Sequence, residues 1–200
     1  MKYAMKIKQV IVALLGNCVL GAGLAMCAQT LLGSDPCVSF SQAASIKLGI
    51  TLGQMITITN VVLLVVIFIL KKENLGIATL IVVFLNQYPI DFFTSLITYT
   101  DNLFINILWI LAGIVLIGVG CNLLIASNLG MGIYDAFIYS IVSKVNKSYV
   151  FCRYIIDGVF LLLTILLKGY IGIGTVLSYL LTGNLLKLTK PFIDRIINFK

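Results

Sequence analysis

One carboxylate lies in the middle of an apolar segment, where a charge is costly. Asp157 stands in "RYIIDGVF", near the centre of the apolar stretch 149–168. A charged side chain at the centre of a bilayer costs about 2.5–3.5 kcal/mol on insertion scales, so Asp157 should face other helices or a cavity. Arg153 precedes it by four residues on the same helical face, where the two charges can pair. The pair is a candidate for binding a substrate or coupling a proton or ion. The alternative is a structural carboxyl that bonds small residues of a neighbouring helix.

The rest of the sequence offers few groups for catalysis. It has no histidine, which removes the commonest general base and the commonest metal ligand. Serine, threonine and cysteine side chains have no evident base nearby, and no paired-carboxylate motif, P-loop or dinucleotide fingerprint occurs. The five cysteines form no C-x-x-C pair and mostly lie in apolar runs, which argues against a disulfide or metal framework. We expect no enzymatic activity, no catalytic residue, no cofactor and no metal.

The composition predicts an integral membrane protein. Of the 200 residues, 60% are hydrophobic and 10% charged, with a mean hydropathy of +1.11, whereas soluble domains carry about 25% charged residues. The formal charge of +7 does not indicate nucleic-acid binding, because no basic stripe with interleaved aromatic residues is present. Residues 1–200 are read as a single membrane domain whose partner is the lipid bilayer.

Six segments have the length and apolar character of membrane spans. A spanning helix needs about 20 apolar residues, and the segments that qualify are 9–32, 51–70, 75–97, 103–127, 149–168 and 170–187. Tyr88-Pro89 should kink or break the third span near its end. The stretches 36–48 and 132–146 are shorter and more polar, and we interpret them as interfacial or partly re-entrant helices. Amides within or beside the spans are predicted to be interhelical hydrogen-bond partners: Asn17, Gln54, Asn86, Gln87 and Asn122.

The positive charges orient these spans. With a cytoplasmic N-terminus, only Lys47 and Lys168 fall outside. The other twelve basic residues fall on the cytoplasmic side: Lys2, Lys6, Lys8, Lys71, Lys72, Lys144, Lys147, Arg153, Lys187, Lys190, Arg195 and Lys200. This asymmetry follows the positive-inside rule and predicts a multi-pass protein of the bacterial inner membrane with both termini cytoplasmic.

The two halves of the chain repeat one another at an offset of 97, later 96. Gly16, Gly21 and Gly23 align with Gly113, Gly118 and Gly120, and "GIAT" at 76–79 aligns with "GIGT" at 172–175. Repeat 1 covers about 9–97 and repeat 2 about 103–190. Each contains three spans, so the second enters the membrane from the opposite side. Inverted repeats are typical of transporters, with the site near the midplane of the repeat interface; duplication that serves only packing is the alternative.

The alignment adds a neutral counterpart to the charged pair. Asn60 falls on Asp157, so the candidate substrate- or ion-binding residues are Asp157, Asn60 and Arg153. Gly33 and Gly130 align in the turns before the short helices, where a positive φ can end the preceding helix. Asp35 and Asp135 follow these turns, and we expect both to cap the short helices, Asp35 the more naturally because Pro36 comes next. A substrate role for the two aspartates is the alternative.

The last span begins with two glycines. Gly172 and Gly174 flank one isoleucine and precede Thr175, although glycine costs about 1 kcal/mol relative to alanine inside a helix. Because they are two residues apart, they do not form a G-x-x-x-G seam. We expect them to let neighbouring helices approach closely; a helix N-terminus exposed toward a ligand is the alternative.

Together these segments resemble a known family. "GAGLAMCAQTLLGSDP", "NLGMGIYDAF", the intramembrane aspartate of "RYIIDGVF" and "GYIGIGTVLSYLLTG" are similar to segments of the YczE/YyaS-like bacterial membrane proteins, a group related to the YitT-type proteins. The resemblance covers about residues 10–190. It implies a membrane protein and assigns no catalytic or substrate residue.

The expected fold is therefore an all-α membrane protein of about six transmembrane helices in two inverted three-helix repeats. Each repeat has a short interfacial or re-entrant helix after its first span. The leading functional hypothesis is a transporter or permease for a small solute. The rival is a non-transporting accessory protein that binds or organises another membrane protein, and a homo-oligomer also stays open.

Overall fold

The chain folds into helices joined by short turns. The computed structural model describes residues 2–30, 32–71, 75–97 and 100–197, and within these ranges it contains no strand. The expected all-α class is therefore confirmed. The helices in chain order are α1 (Lys2–Gln29), α2 (Pro36–Leu48), α3 (Leu52–Lys71), α4 (Ile77–Leu85), α5 (Gln87–Leu96), α6 (Leu103–Ala126), α7 (Ile133–Val145), α8 (Tyr149–Leu166) and α9 (Ile173–Ile196). Two residues of the predicted charge asymmetry, Lys72 and Lys200, lie outside the described residues.

Four helices are long and apolar enough to cross a membrane. They comprise Met5–Gln29, Leu52–Leu70, Leu103–Ala126 and Tyr149–Leu166, at the places predicted for four of the six spans. The pair α4 and α5 makes a fifth if it is counted as one broken span. In the remaining predicted span, 170–187, the described residues contain a shorter apolar helix over Ile173–Thr182, which does not reach the length of a span by itself. By length and composition, the described residues thus contain four or five spans.

The break in the third predicted span lies in its middle. α4 and α5 meet at Asn86 at an angle of 44°. Pro89 lies in the first turn of α5 and has no amide hydrogen with which to bond the carbonyl four residues earlier, at Leu85. The predicted break is therefore confirmed, but its expected place near the end of the span was wrong.

The two short helices form where the sequence predicts them. Asp35 caps α2, since its Oδ1 accepts a hydrogen bond from the Cys37 amide at 3.2 Å, and Pro36 occupies the first helical position. α7 begins after Gly132 and ends at Asn146, whose φ is 53°. α2 packs against α3 and α8, and α7 packs against α3 and α8 as well. Both short helices are therefore held between long ones.

Small residues bring α1 and α6 together along their length. A Cβ added at Gly23 would lie 2.7 Å from the Gly113 carbonyl oxygen, and one at Gly120 would lie 2.9 Å from the Gly16 carbonyl oxygen. Such close approach of backbones is how helices associate where no water drives them together. α9 packs against the other side of α6, and α5 against α1.

The turns after α1 and after α6 each accept a hydrogen bond from the start of a helix in the other half of the chain. The Gly174 amide donates to the Leu32 carbonyl at 3.0 Å, and the Ala78 amide donates to the Leu129 carbonyl at 3.0 Å. The residues after these carbonyls, Gly33 and Gly130, have φ of 85° and 123°, a region that favours glycine. Both turns therefore depend on glycine for their shape.

The glycines that begin α9 lie against the first of these turns. A Cβ at Gly174 would overlap the Gly33 carbonyl oxygen, and one at Gly172 would lie 2.7 Å from the Leu32 carbonyl oxygen. Thr175 is buried, and its Oγ1 accepts a hydrogen bond from the Gly172 amide at 3.4 Å. Of the two roles considered for Gly172 and Gly174, these contacts favour close packing.

Candidate functional site

Arg153 is shared by three carboxylates from three helical segments. Its guanidinium nitrogens lie 3.7 Å from an oxygen of Asp35, 3.8 Å from Asp135 and 3.6 Å from Asp157. The side chains of Arg153, Asp35 and Asp135 are about 15% exposed, whereas Asp157 is 3% exposed. The predicted contact between Arg153 and Asp157 is therefore present, and it belongs to a larger cluster than the spacing alone indicated.

Two tyrosines complete the cluster. The Tyr134 hydroxyl donates a short hydrogen bond to Asp157 Oδ1. The Tyr149 hydroxyl donates to Asp135 Oδ1 at 2.6 Å and accepts from Arg153 Nη1 at 3.1 Å. The Arg153 guanidinium also lies 5.7 Å from the centre of the Tyr134 ring, a cation–π distance. A tyrosine hydroxyl thus donates to Asp135 and to Asp157, and the Arg153 guanidinium lies among the three carboxylates at 3.6–3.8 Å.

The local sequence explains how α8 places three residues of the cluster on one face. The Ser148 hydroxyl accepts from the Phe151 amide at 3.3 Å and caps the helix start. Positions 149, 153 and 157 follow at intervals of four, so Tyr149, Arg153 and Asp157 lie on one face. That face turns toward α2 and α7, against which α8 packs.

The two remaining carboxylates come from the starts of the short helices. Asp35 is the N-cap of α2, and burial raises the pKa of its carboxyl above the ordinary value while the Arg153 charge opposes that rise. The prediction that Asp135 caps α7 is wrong, because the N-cap is Gly132 and Asp135 lies in the first helical turn. From there its side chain reaches Tyr149 and Arg153 instead.

A cavity of about 110 Å³ opens beside this cluster. Arg153, Asp35, Asp135 and Tyr134 line it on one side. Its other polar lining residues are Asn60, Asn86 and Thr182, with Cys37 and Cys121. The remaining surface is hydrocarbon, contributed by residues that include Leu20, Leu24, Ile56, Val82, Ile117 and Ile133. The lining therefore combines a charged cluster and a few neutral polar side chains with a larger apolar surface.

The candidate residues from the sequence separate into two groups. Asn60, on α3, lines the cavity together with Arg153, whereas Asp157 contacts it through Tyr134 and Arg153. The glycines Gly33, Gly130, Gly172 and Gly174 and the neighbouring Thr175 lie at the turns described above and are absent from the cavity lining. Asn60 and Arg153 are thus placed to contact a bound solute, Asp157 is placed to hold Tyr134 and Arg153 at the cavity wall, and the glycines with Thr175 hold the surrounding helices.

The amides predicted to join helices behave differently from one another. Asn122 on α6 donates to the Leu186 carbonyl at 2.8 Å and to Thr189 Oγ1 at 2.7 Å, so its interhelical role is confirmed. Asn86, at the break between α4 and α5, is 2% exposed, and its Oδ1 has no hydrogen-bond partner among the described residues. Asn86 also lines the cavity, and its Oδ1 lies between the cavity wall and Gly21 of α1, 3.2 Å from the position that a Cβ on Gly21 would take.

The arrangement suits binding better than covalent chemistry. The thiols and hydroxyls that line the cavity have no histidine beside them, since the chain has none. In the described part of the chain, no group of three or more His, Cys, Asp or Glu side chains is arranged to hold a metal ion. What the cluster offers is charge, hydrogen-bond acceptors and a polar wall for a small solute.

Comparison with known proteins agrees with the motifs and adds no activity. A family model described as "Family of unknown function (DUF6198)" matches residues 7–191. The uncharacterized protein YyaS of Bacillus subtilis is 28% identical over 184 residues, which cover 90% of this chain and 92% of that protein. The uncharacterized membrane protein YczE of the same organism is 27% identical over 172 residues, covering 84% and 78%.

A third relative comes from another bacterium. An uncharacterized protein of Haemophilus influenzae is 26% identical over 189 residues, covering 94% of this chain and 86% of that protein. No solved structure matches the chain. The resemblance to YczE/YyaS-like proteins is confirmed by these matches, while the relation to YitT-type proteins stays a prediction.

Proposed function

The chain belongs to DUF6198, a family of unknown function, and we propose that it is a transporter or permease for a small solute. In this proposal it lies in the bacterial inner membrane with both termini cytoplasmic. It has six spans in two inverted three-helix repeats and acts without enzymatic chemistry. The observation that carries the proposal is a cavity lined by equivalent positions of the two halves, with a buried charge cluster on one side.

The inverted repeat is supported by pairs of contacts in which each residue of one contact aligns with a residue of the other. Leu32 corresponds to Leu129, and Ala78 corresponds to Gly174. The bond from Gly174 to Leu32 therefore has its counterpart in the bond from Ala78 to Leu129, and both measure 3.0 Å. A pair of crossed contacts of equal length is expected when a pseudo-two-fold axis relates the two halves.

The contact between α1 and α6 behaves in the same way. Gly16 corresponds to Gly113, and Gly23 corresponds to Gly120. Exchanging the halves turns the approach of Gly23 to Gly113 into the approach of Gly120 to Gly16, and both approaches are close. The exchange also converts the packing of α2 on α8 into that of α7 on α3, and both occur. These relations favour an axis that passes between α1 and α6.

The cavity lies where such an axis would pass. Its lining includes the equivalent pairs Leu20 and Ile117, Leu24 and Cys121, and Asn86 and Thr182. In transporters built from inverted repeats, the substrate site lies at the repeat interface near the midplane, and rocking of one repeat against the other exposes it alternately. A central cavity with equivalent walls fits that mechanism.

The break at Asn86 and the starts of the short helices add a second similarity. In such transporters, interrupted helices and half-helix ends surround the substrate. Here Asn86 at the break, Asp35 at the cap of α2 and Gly132 at the cap of α7 all line the cavity. Backbone that leaves helical geometry is tolerated at membrane depth where it lines a cavity.

Flux measurements test the proposal. The full chain, reconstituted in lipid vesicles, is expected to move at least one member of a radiolabelled panel of amines, amino acids, carboxylates and sugars. Asp157→Asn and Asn60→Ala should lose most of that flux, because the first changes the charge cluster and the second removes a polar side chain from the cavity lining. Asp101→Asn makes the same charge change at an exposed position outside the cavity lining and should keep it.

Two results would contradict it. Wild-type flux in both cavity variants would remove the proposed site. A protein that moves no member of the panel, yet purifies with one stable membrane-protein partner, would favour the accessory function over transport.

A further inference from the structure

We infer that the cavity binds a small organic cation, a protonated amine whose hydrocarbon part lies against the apolar wall. This inference rests on the proposed function only for the idea that the bound molecule is the transported solute. Binding itself is argued from the charges, the unused acceptor and the lining of the cavity.

The charge cluster is short of positive charge. Three carboxylates, those of Asp35, Asp135 and Asp157, share the Arg153 guanidinium. No other ion pair to these carboxylates occurs among the described residues. Ionised groups withdrawn from water need compensating charge and hydrogen bonds. A cationic ligand would supply both.

The carboxylates also keep acceptor capacity. An ionised carboxylate offers about four lone-pair positions. Asp35 accepts hydrogen bonds from the amides of Cys37 and Val38, Asp135 accepts one from the Tyr149 hydroxyl, and Asp157 accepts from the Tyr134 hydroxyl and interacts with Arg153. Asp35 and Asp135 line the cavity, so their free positions are available to the N–H groups of an ammonium.

An independent observation points to the same kind of ligand. Asn86 is buried, its Oδ1 has no hydrogen-bond partner among the described residues, and it contributes to the cavity wall. A carbonyl oxygen accepts hydrogen bonds and cannot donate them. Buried polar atoms without a partner are rare in native proteins, and each needs an explanation. A ligand whose N–H donors reach Asn86 from the cavity would satisfy this oxygen, whereas an anionic ligand would be repelled by it and by the carboxylates.

The remaining lining favours an organic cation over a metal ion. The carboxylates surround Arg153 rather than an open point, and the described residues contain no acidic grouping arranged to hold a metal. Most of the wall surface is apolar, and Leu20, Leu24 and Ile117 contribute to it. A molecule with one charged end and a short hydrocarbon body matches a cavity that has a charged cluster and a mostly apolar surface.

The binding test uses the full chain in lipid nanodiscs and four probes. n-Butylammonium has the proposed charge and shape, n-butanol has the shape without the charge, butyrate has the opposite charge, and sodium chloride supplies a metal cation. Isothermal titration calorimetry should show saturable binding of n-butylammonium at least tenfold tighter than that of the other three. Equal binding of butanol, or tighter binding of butyrate or sodium, would overturn the inference.

Matched variants locate the site. Asp35→Asn removes one charge and keeps a residue that caps helices well, and Asn86→Leu removes the unused acceptor. Each should weaken n-butylammonium binding at least tenfold. Asp101→Asn repeats the charge change at an exposed site, and Asn17→Leu removes another buried amide whose Oδ1 has no partner but which does not line the cavity. Both controls should bind as the parent does. Unchanged binding in both cavity variants would overturn the inference.

The experiments distinguish a failure of the proposed transport function from a failure of the inferred amine binding. Specific n-butylammonium binding without flux of any amine in vesicles would leave the inference standing and contradict the proposed function. Flux of a neutral or anionic solute that depends on Asp157, without amine binding, would support the proposed function and overturn the inference.

Discussion

The Arg153 guanidinium lies 3.7 Å from the Asp35 carboxylate, an ion pair that joins α8 to the capped start of α2. The two residues come from different halves of the chain. In the proposed rocking mechanism, movement of one repeat against the other changes this distance. The ion pair therefore joins the two repeats at the wall of the cavity. A cation that competes with Arg153 for Asp35 would weaken this ion pair.

The first prediction concerns the stability that Arg153 provides. Arg153→Met should lower the free energy of unfolding by about 3–5 kcal/mol, the usual cost of removing one partner from a buried ion pair. The cause is three carboxylates left together without their cation. The measurement is reversible unfolding in mixed micelles by titration with sodium dodecyl sulfate.

A second substitution distinguishes this cause from lost packing. Asp35→Asn, added to Arg153→Met, should recover part of the loss because it removes one of the unpaired charges. Residues in one such network couple by about 0.5–3 kcal/mol. Asp101→Asn in the same background should recover nothing. Additive effects of Arg153→Met and Asp35→Asn would contradict the shared cluster.

The second prediction concerns the support of Asp157. Tyr134→Phe removes the hydroxyl that donates to this carboxylate and should cost about 1–3 kcal/mol, since a buried acceptor loses its partner. Tyr154→Phe makes the same change on the exposed side of α8, where Tyr154 is 49% exposed, and should change stability little. The unfolding titration described above measures both, and equal effects would contradict a specific role for the Tyr134 hydroxyl.

Spacing along one helix predicted only the part of the site that one helix contains. Arg153 and Asp157 are four residues apart, so their contact follows from helical geometry alone. Asp35 and Asp135 join them only because α2 and α7 dock on α8, and no local pattern encodes that docking. The aligned turns at Gly33 and Gly130 are a sequence signal for this docking, because the proposed inverted repeat would bring both short helices to the same axis.

Other differences have equally local causes. Asp135 was expected to cap α7, but Gly132 begins that helix earlier, and the carboxylate turns to Tyr149 instead. The third predicted span breaks at Asn86. Pro89 causes the break three residues earlier than its own position, because it cannot donate a hydrogen bond to the carbonyl in the preceding turn. The proposed role of Asn86 as a cavity acceptor depends on that break, so the sequence pattern could not show it.

The third prediction uses two glycines with opposite surroundings. Gly174→Ala should lower the free energy of unfolding by about 1–3 kcal/mol, the usual cost of overpacking, because its Cβ would overlap the Gly33 carbonyl oxygen. Gly158→Ala, in the interior of α8, adds a Cβ that meets nothing within 4 Å. It should stabilise the protein, by up to about 1 kcal/mol, because alanine is the better helix former.

A larger side chain then tests the role of Gly174. Gly174→Leu should reduce the yield of folded protein, as judged by size-exclusion chromatography, more than Gly158→Leu does. If Gly174→Leu instead folds normally and loses only solute flux, its contacts with the turn at Gly33 do not hold the helices together. The glycine would then serve a ligand.

The fourth prediction tests the inverted topology with two equivalent lysines. Lys47 at the end of α2 corresponds to Lys144 at the end of α7 at the offset of 97, and both are exposed. If the repeats enter the membrane from opposite sides, the two positions face opposite compartments.

In a variant without the five native cysteines, Lys47→Cys should react with a membrane-impermeant maleimide on intact cells, whereas Lys144→Cys should react only after permeabilisation. Lys168→Cys, at the outer end of α8, serves as a second external control, because the six-span arrangement requires it to react like Lys47→Cys. Labelling of Lys47→Cys and Lys144→Cys from the same side would contradict the inverted repeat, and with it the placement of the cavity on an axis between the two halves.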